Sequence, residues 1–127
     1  MFELDGLDHI ALAVRDVERS ANWYVEVLGF ERRYEGMWAG VPVFVGKGKT
    51  ALALFPRGSD RAAGTPRKPG NMLHFALRAD RKNFLAAQQD LTSQGIAFHF
   101  QDHEVSQSIY FRDPDGFEVE ITTYELE

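Results

Sequence analysis

No cysteine occurs in the 127 residues. That excludes disulfides, zinc–thiolate sites and a thiol nucleophile, and it suits a reducing, cytoplasmic setting. A surplus of positive charge is lacking too. The formal net charge is −5, whereas a nucleic-acid binder shows a basic face, so no nucleic-acid partner is expected. No apolar run approaches the length of a bilayer span, so no membrane partner is expected either. The opening MFELDGLDHI has no basic segment followed by an apolar one, and no signal peptide is expected. What remains is a balance of 44% hydrophobic and 26% charged residues, suited to one domain with a substantial core.

The chain reads as one pattern written twice. HIALAV starts at His9 and HFALRA at His74, and each reads as a strand. Each is followed by an aspartate placed to cap a helix, Asp16 and Asp80. An amphipathic stripe comes next: Val17, Ala21, Tyr24 and Leu28 in the first copy, Phe84, Ala87 and Leu91 in the second. Gly29 and Gly95 stand where a helix takes a left-handed C-terminal residue. Three more strands follow in each copy: FERRY, VPVFV and TALALF, then IAFHF, SIYF and FEVEIT. The expected fold is α+β, with two tandem βαβββ modules forming a curved eight-stranded mixed sheet around a central cavity. Module one covers about 5–56 and module two about 71–125. The stretch about 57–70 is rich in Gly, Pro and Arg and reads as a linker, or as a lid carrying Arg57, Arg61 or Arg67.

Strand alternation separates two faces. Ile10, Leu12 and Val14 form one greasy row, and Leu73, Phe75 and Leu77 another. Leu7, His9, Ala11 and Ala13 share the opposite face of the first strand, and His74 and Ala76 that of the second. In FEVEIT, Glu118 and Glu120 lie off the greasy row. An inward carboxylate needs a cation, a hydrogen-bond network or solvent. Two imidazoles and one of these carboxylates form the ligand set that binds Fe(II) in non-haem oxygenases and also takes Zn(II) or Mn(II).

LDHIALAVRDVERSANWYVEVLGF, LHFAL and SIYFRDPDGFEVEI resemble the vicinal oxygen chelate superfamily, which includes glyoxalase I, methylmalonyl-CoA epimerase, extradiol dioxygenases, fosfomycin-modifying thiol transferases and bleomycin-binding proteins. The resemblance implies metal ligands at His9, His74 and Glu120 rather than Glu118. It also implies a divalent metal, a small-molecule substrate and a homodimer, with the site shared between chains in some members.

Aligning the two halves places Ala53 opposite Glu120. Glyoxalase I and the epimerase carry Glu or Gln there as a fourth ligand, so alanine counts against an isomerase. DHEVSQSIYFRDPDG is similar to the catechol 2,3-dioxygenase pattern. That similarity implies His103 and Tyr110 as catalytic residues beside the substrate, and Fe(II) ahead of Mn(II), Zn(II) or Ni(II). The best-fitting expectation is an extradiol dioxygenase. The alternatives are a glyoxalase-like lyase, a thiol transferase or a non-catalytic binder whose pocket is lined by Trp38, Phe44, Phe55 and Phe98. Two features depart from the dioxygenase pattern. Extradiol enzymes often have two such domains, and they carry an acid–base histidine shortly before the second metal-binding one. RGSDRAAGTPRKPGNML has none. His99, on a strand face with Ala97 and Gln101, is the remaining candidate, although its simplest reading is an exposed strand residue. For a thiol transferase, Ala11 replaces a threonine and FHFQDHEVSQS has no lysine or arginine, so a phosphonate such as fosfomycin is not the expected substrate.

Overall fold

The computed structural model describes residues 1–58 and 72–127. The chain divides into two compact units, Met1–Lys68 and Pro69–Glu127, and each carries one βαβββ module. Residues 59–71, with Arg61 and Arg67 and most of the expected linker, lie outside the described residues.

The first unit contains β1 (Ile10–Val14), α1 (Val17–Leu28), β2 (Glu31–Arg33), β3 (Val43–Lys47) and β4 (Thr50–Pro56). Its sheet runs β1-β4-β3-β2, with β1 parallel to β4 and the other pairs antiparallel. The second unit repeats this with β5 (Phe75–Arg78), α2 (Arg81–Ser93), β6 (His99–Asp102), β7 (Gln107–Arg112) and β8 (Glu118–Thr123). Its order is β5-β8-β7-β6, and β5 is parallel to β8. The first and last strands of each module lie side by side because the helix carries the chain across the sheet, as a parallel pairing requires.

The helices begin and end where the sequence indicates. The Asp16 side chain accepts from the Arg19 backbone N–H at 3.0 Å, and Asp80 accepts from that of Asn83 at 2.8 Å. Each cap satisfies one of the unpaired donors of a first turn, worth about 1 kcal/mol. Gly29 (φ 70°) and Gly95 (φ 73°) take the left-handed conformation just past the two helices. Ala21 and Tyr24 on α1, and Phe84 and Leu91 on α2, are buried. In the first unit they join a core that includes Leu12, Val14, Val45, Leu52 and Leu54.

The registers of the two sheets correspond. Arg33, Phe44, Ala53 and Ala11 form one row across the first sheet. His99, Tyr110, Glu120 and Ala76 form the equivalent row across the second. Ala53 is therefore the counterpart of Glu120, and Phe44 the counterpart of Tyr110. Directly paired residues point to the same face, so one face of each sheet carries the core, leucine and valine in the first and Phe75, Ile109, Phe111, Val119 and Ile121 in the second, and the other carries these rows.

Candidate metal centre and the polar sheet face

His9 and His74 occupy equivalent places, each one residue before a first strand rather than inside it. The His9 ring lies against Phe44, with centroids 5.2 Å apart. The His74 ring lies against Tyr110 at 5.7 Å. Both rings therefore stand on the face away from the core.

His9 Nδ1 is 2.8 Å from Asp8 Oδ2. A carboxylate only accepts, so Nδ1 carries the hydrogen. The neutral ring then leaves Nε2 with its lone pair, the arrangement that metal-binding histidines commonly use. His74 Nε2 is 2.9 Å from Glu120 Oε1. Its Nδ1 is 3.9 Å from Glu118 Oε1, beyond hydrogen-bond range.

Glu120 is the buried carboxylate of this face, 8% exposed. Ser108 Oγ donates to its Oε2 at 2.6 Å, and the same hydroxyl lies 2.9 Å from Thr122 Oγ1. Glu118 is more open and pairs with Arg112, whose Nη2 is 3.3 Å away. The register of β8 thus sets Glu120 deep and Glu118 toward the rim.

Tyr110 stands at the centre of three imidazoles. Its hydroxyl is 2.9 Å from His103 Nε2, in the turn between β6 and β7. The His99 ring lies 6.1 Å from it, centroid to centroid, on the neighbouring strand. Burial, and then the negative charge of Glu120, raise the phenol above the ordinary tyrosine pKa. Tyr110 is therefore a protonated donor at neutral pH. His74, His99, Gln101, Tyr110, Arg112 and Glu118, with Phe111, line a cleft of about 460 Å³. That volume suits a small organic ligand.

The donor set of the second unit suits a metal. Two atoms each about 2.1 Å from an octahedral ion, at right angles, stand about 3 Å apart. His74 Nε2 and Glu120 Oε1 have that separation, and a cation would take the place of the proton between them. Among the described residues no group of three or more histidine or carboxylate side chains is gathered as a metal cluster.

Of the expected residues His9, His74, Glu120, Tyr110 and His103, the structure places the last four in the second unit, where His74 pairs with Glu120 and Tyr110 contacts both His74 and His103, while His9 lies in the first unit against Phe44. The structure adds Ser108 as the anchor of Glu120 and Asp8 as the partner of His9, and the acid–base candidate His99 lines the cleft. Ser108 is signalled by alternation, two residues before Tyr110 on the same face. His99 is exposed, as its simplest reading expects, in a strand exposed along its whole length. Phe44 and Trp38 of the expected aromatic pocket do meet, at 5.5 Å, and Tyr34 joins them. Arg57 directly follows β4, and its backbone N–H donates to Val14 O at 2.9 Å.

Residues 6–121 match the Glyoxalase/Bleomycin resistance protein/Dioxygenase superfamily, and the chain belongs to that family. A catechol-2,3-dioxygenase of Bacillus subtilis (strain 168) is 30% identical over 122 residues, covering 91% of this chain. The match spans only 40% of the length of that enzyme. A glutathione transferase FosA of Serratia marcescens is 26% identical over 119 residues, 93% of this chain and 80% of that one. The crystal structure of a lactoylglutathione lyase from Agrobacterium tumefaciens superimposes with a TM-score of 0.74 at 25% identity, covering 94% of each chain.

Proposed function

We propose that this protein is a metal-dependent enzyme acting on a small molecule with two adjacent oxygens, and that its reaction is extradiol opening of a catechol-type ring. The observation that carries this reading is the grouping of His74, Glu120 and Ser108 with the Tyr110–His103 pair beside one cleft. The similarity to the Bacillus dioxygenase supports it. Ala53 at the counterpart of Glu120 counts against an isomerase that needs a fourth, basic ligand. The His74 imidazole and the Glu120 carboxylate would hold the metal, with iron(II) favoured, and the family resemblance implies His9 as a further ligand. When bound, the metal supplies positive charge that holds two substrate oxygens and favours their deprotonation.

The remaining work falls to side chains. The His99 side chain makes no hydrogen bond among the described residues, and its imidazole, lining the cleft, would take the proton that a catechol hydroxyl gives up. It returns the proton to the ring-opened product. Ring cleavage puts both atoms of O₂ into that product, so no other reductant is consumed. Tyr110, held protonated, donates a hydrogen bond to oxygen that gains negative charge. His103 fixes the direction of that hydroxyl.

The test is metal analysis of protein purified without air, followed by oxygen uptake with substituted catechols. Bound iron near one per chain, with one O₂ consumed per ring opened, is the expected result. Tyr110→Phe should keep the metal and lower kcat about 100-fold. His99→Ala should lower it about 100-fold or more. Stoichiometric metal with no oxygen uptake, but with thiol addition, would move the assignment to a transferase. Binding of small molecules with no metal at all would make it a binder.

A further inference from the structure

Ser108 Oγ lies within hydrogen-bond distance of two side-chain oxygens, Glu120 Oε2 at 2.6 Å and Thr122 Oγ1 at 2.9 Å. A hydroxyl has one proton to give, and a carboxylate oxygen only accepts, so the shorter bond takes it. The contact with Thr122 then needs the proton of Thr122. The other acceptor within reach of that hydroxyl is Gln107 O at 3.3 Å, longer than an O–H···O bond prefers. The distances therefore order the three groups into one chain. Thr122 donates to Ser108, and Ser108 donates to Glu120.

This chain is closed to water. Ser108 is fully buried, and Thr122 and Glu120 nearly so. Among the described residues no buried side-chain nitrogen or oxygen lacks a partner. Hydrogen bonds in series polarise and strengthen one another. The terminal torsion of a glutamate is otherwise soft. With Oε2 fixed by Ser108, Oε1 is turned to His74 Nε2, 2.9 Å away.

The duplication supplies an internal comparison. Ser108 and Thr122 stand two residues before Tyr110 and two after Glu120. The matching places, two before Phe44 and two after Ala53, hold Pro42 and Phe55. The unit without the carboxylate has neither hydroxyl.

We propose that Thr122 is a positioning residue of the metal centre: acting through Ser108, it sets the direction in which Glu120 offers Oε1 to a divalent cation. This rests on the proposed metal reading of His74 and Glu120.

The experiment measures iron(II) affinity without air, by competition with a chelator, and the Tm of each metal-free protein. Thr122→Val keeps the shape of the side chain and removes its hydroxyl, and it should bind about 10-fold more weakly than the parent. Thr122→Ser keeps the hydroxyl and loses a buried methyl group. It should lower Tm and stay within about 2-fold of the parent affinity. Ser108→Ala should weaken binding about 10–100-fold. Adding Thr122→Val to Ser108→Ala should weaken it no further, because Thr122 acts only through Ser108. Parent affinity in Thr122→Val overturns the inference. So does a double variant whose loss is the product of the single losses, or affinity that follows Tm across the variants and not the hydroxyl. A parent that takes up no iron(II) would remove the metal reading and this inference with it, whereas a binding parent matched by Thr122→Val removes this inference alone.

Discussion

Glu120 is tolerated in an apolar strand because both of its oxygens are engaged, one by Ser108 and one by His74. A buried carboxylate without such partners would cost several kcal/mol. The same carboxylate acts on Tyr110. Burial first, and Glu120 second, raise the phenol pKa. The folded protein therefore holds this proton more tightly than the unfolded chain does. The contribution of Tyr110 to stability is fully present below the unfolded value of about 10 and is lost as pH rises through the higher folded value. Alkaline titration of metal-free protein, followed by tyrosinate absorbance, should show a late-ionising phase that Tyr110→Phe removes. A difference trace that titrates at or below pH 10 would contradict this environment. His9, His74 and the Glu118/Glu120 pair are legible in the sequence because a period of two sets them off the greasy rows, whereas Tyr110, and Glu120 over Glu118, come from the family resemblance. His99 is legible only as a candidate on a face with Ala97 and Gln101, since no buried neighbour in β6 marks that face.

Strands and helices follow the sequence where pattern and capping agree. Asp16, Asp80, Gly29 and Gly95 mark the helix ends, and the Asp113–Gly116 turn forms as its composition indicates. Asp113 Oδ1 accepts from the backbone N–H groups of Asp115 and Phe117, each at 2.9 Å. The β2–β3 turn is not legible, because left-handed Tyr34 and Trp38 run against the preference of both residue types. β3 depends on a close approach that composition does not reveal. A Cβ on Gly46 would lie 2.5 Å from the Thr50 carbonyl oxygen and 2.8 Å from Arg33 Nη1. The carbonyl belongs to the paired backbone of β4 and cannot move freely. Gly46→Ala should therefore destabilise the protein by about 1–3 kcal/mol in urea denaturation. A midpoint equal to that of the parent would show that the β3–β4 ladder yields at no cost.

The duplication is the most legible feature of the whole molecule, because two copies of one order of signals define two modules of one topology. The two copies differ on the face away from the core: the second module has Tyr110 and Glu120 where the first has Phe44 and Ala53, with Arg33 at the edge of the same row. Exposed Phe2, Leu4 and Leu7 in one unit, and Met72 and Leu73 in the other, leave apolar surface that a second chain would cover. We expect a homodimer, and light scattering that gives a monomer mass at high micromolar concentration would contradict it. No helix among the described residues is long and apolar enough to cross a membrane. In the proposed site the deep carboxylate of β8, and not its neighbour at the rim, holds the divalent metal. Metal content after equilibrium dialysis of Glu120→Ala and Glu118→Ala against iron(II) under anaerobic conditions distinguishes the two. Glu120→Ala should retain almost no metal, while Glu118→Ala should retain close to the parent amount. Metal kept by Glu120→Ala, or lost from Glu118→Ala alone, would contradict the assignment.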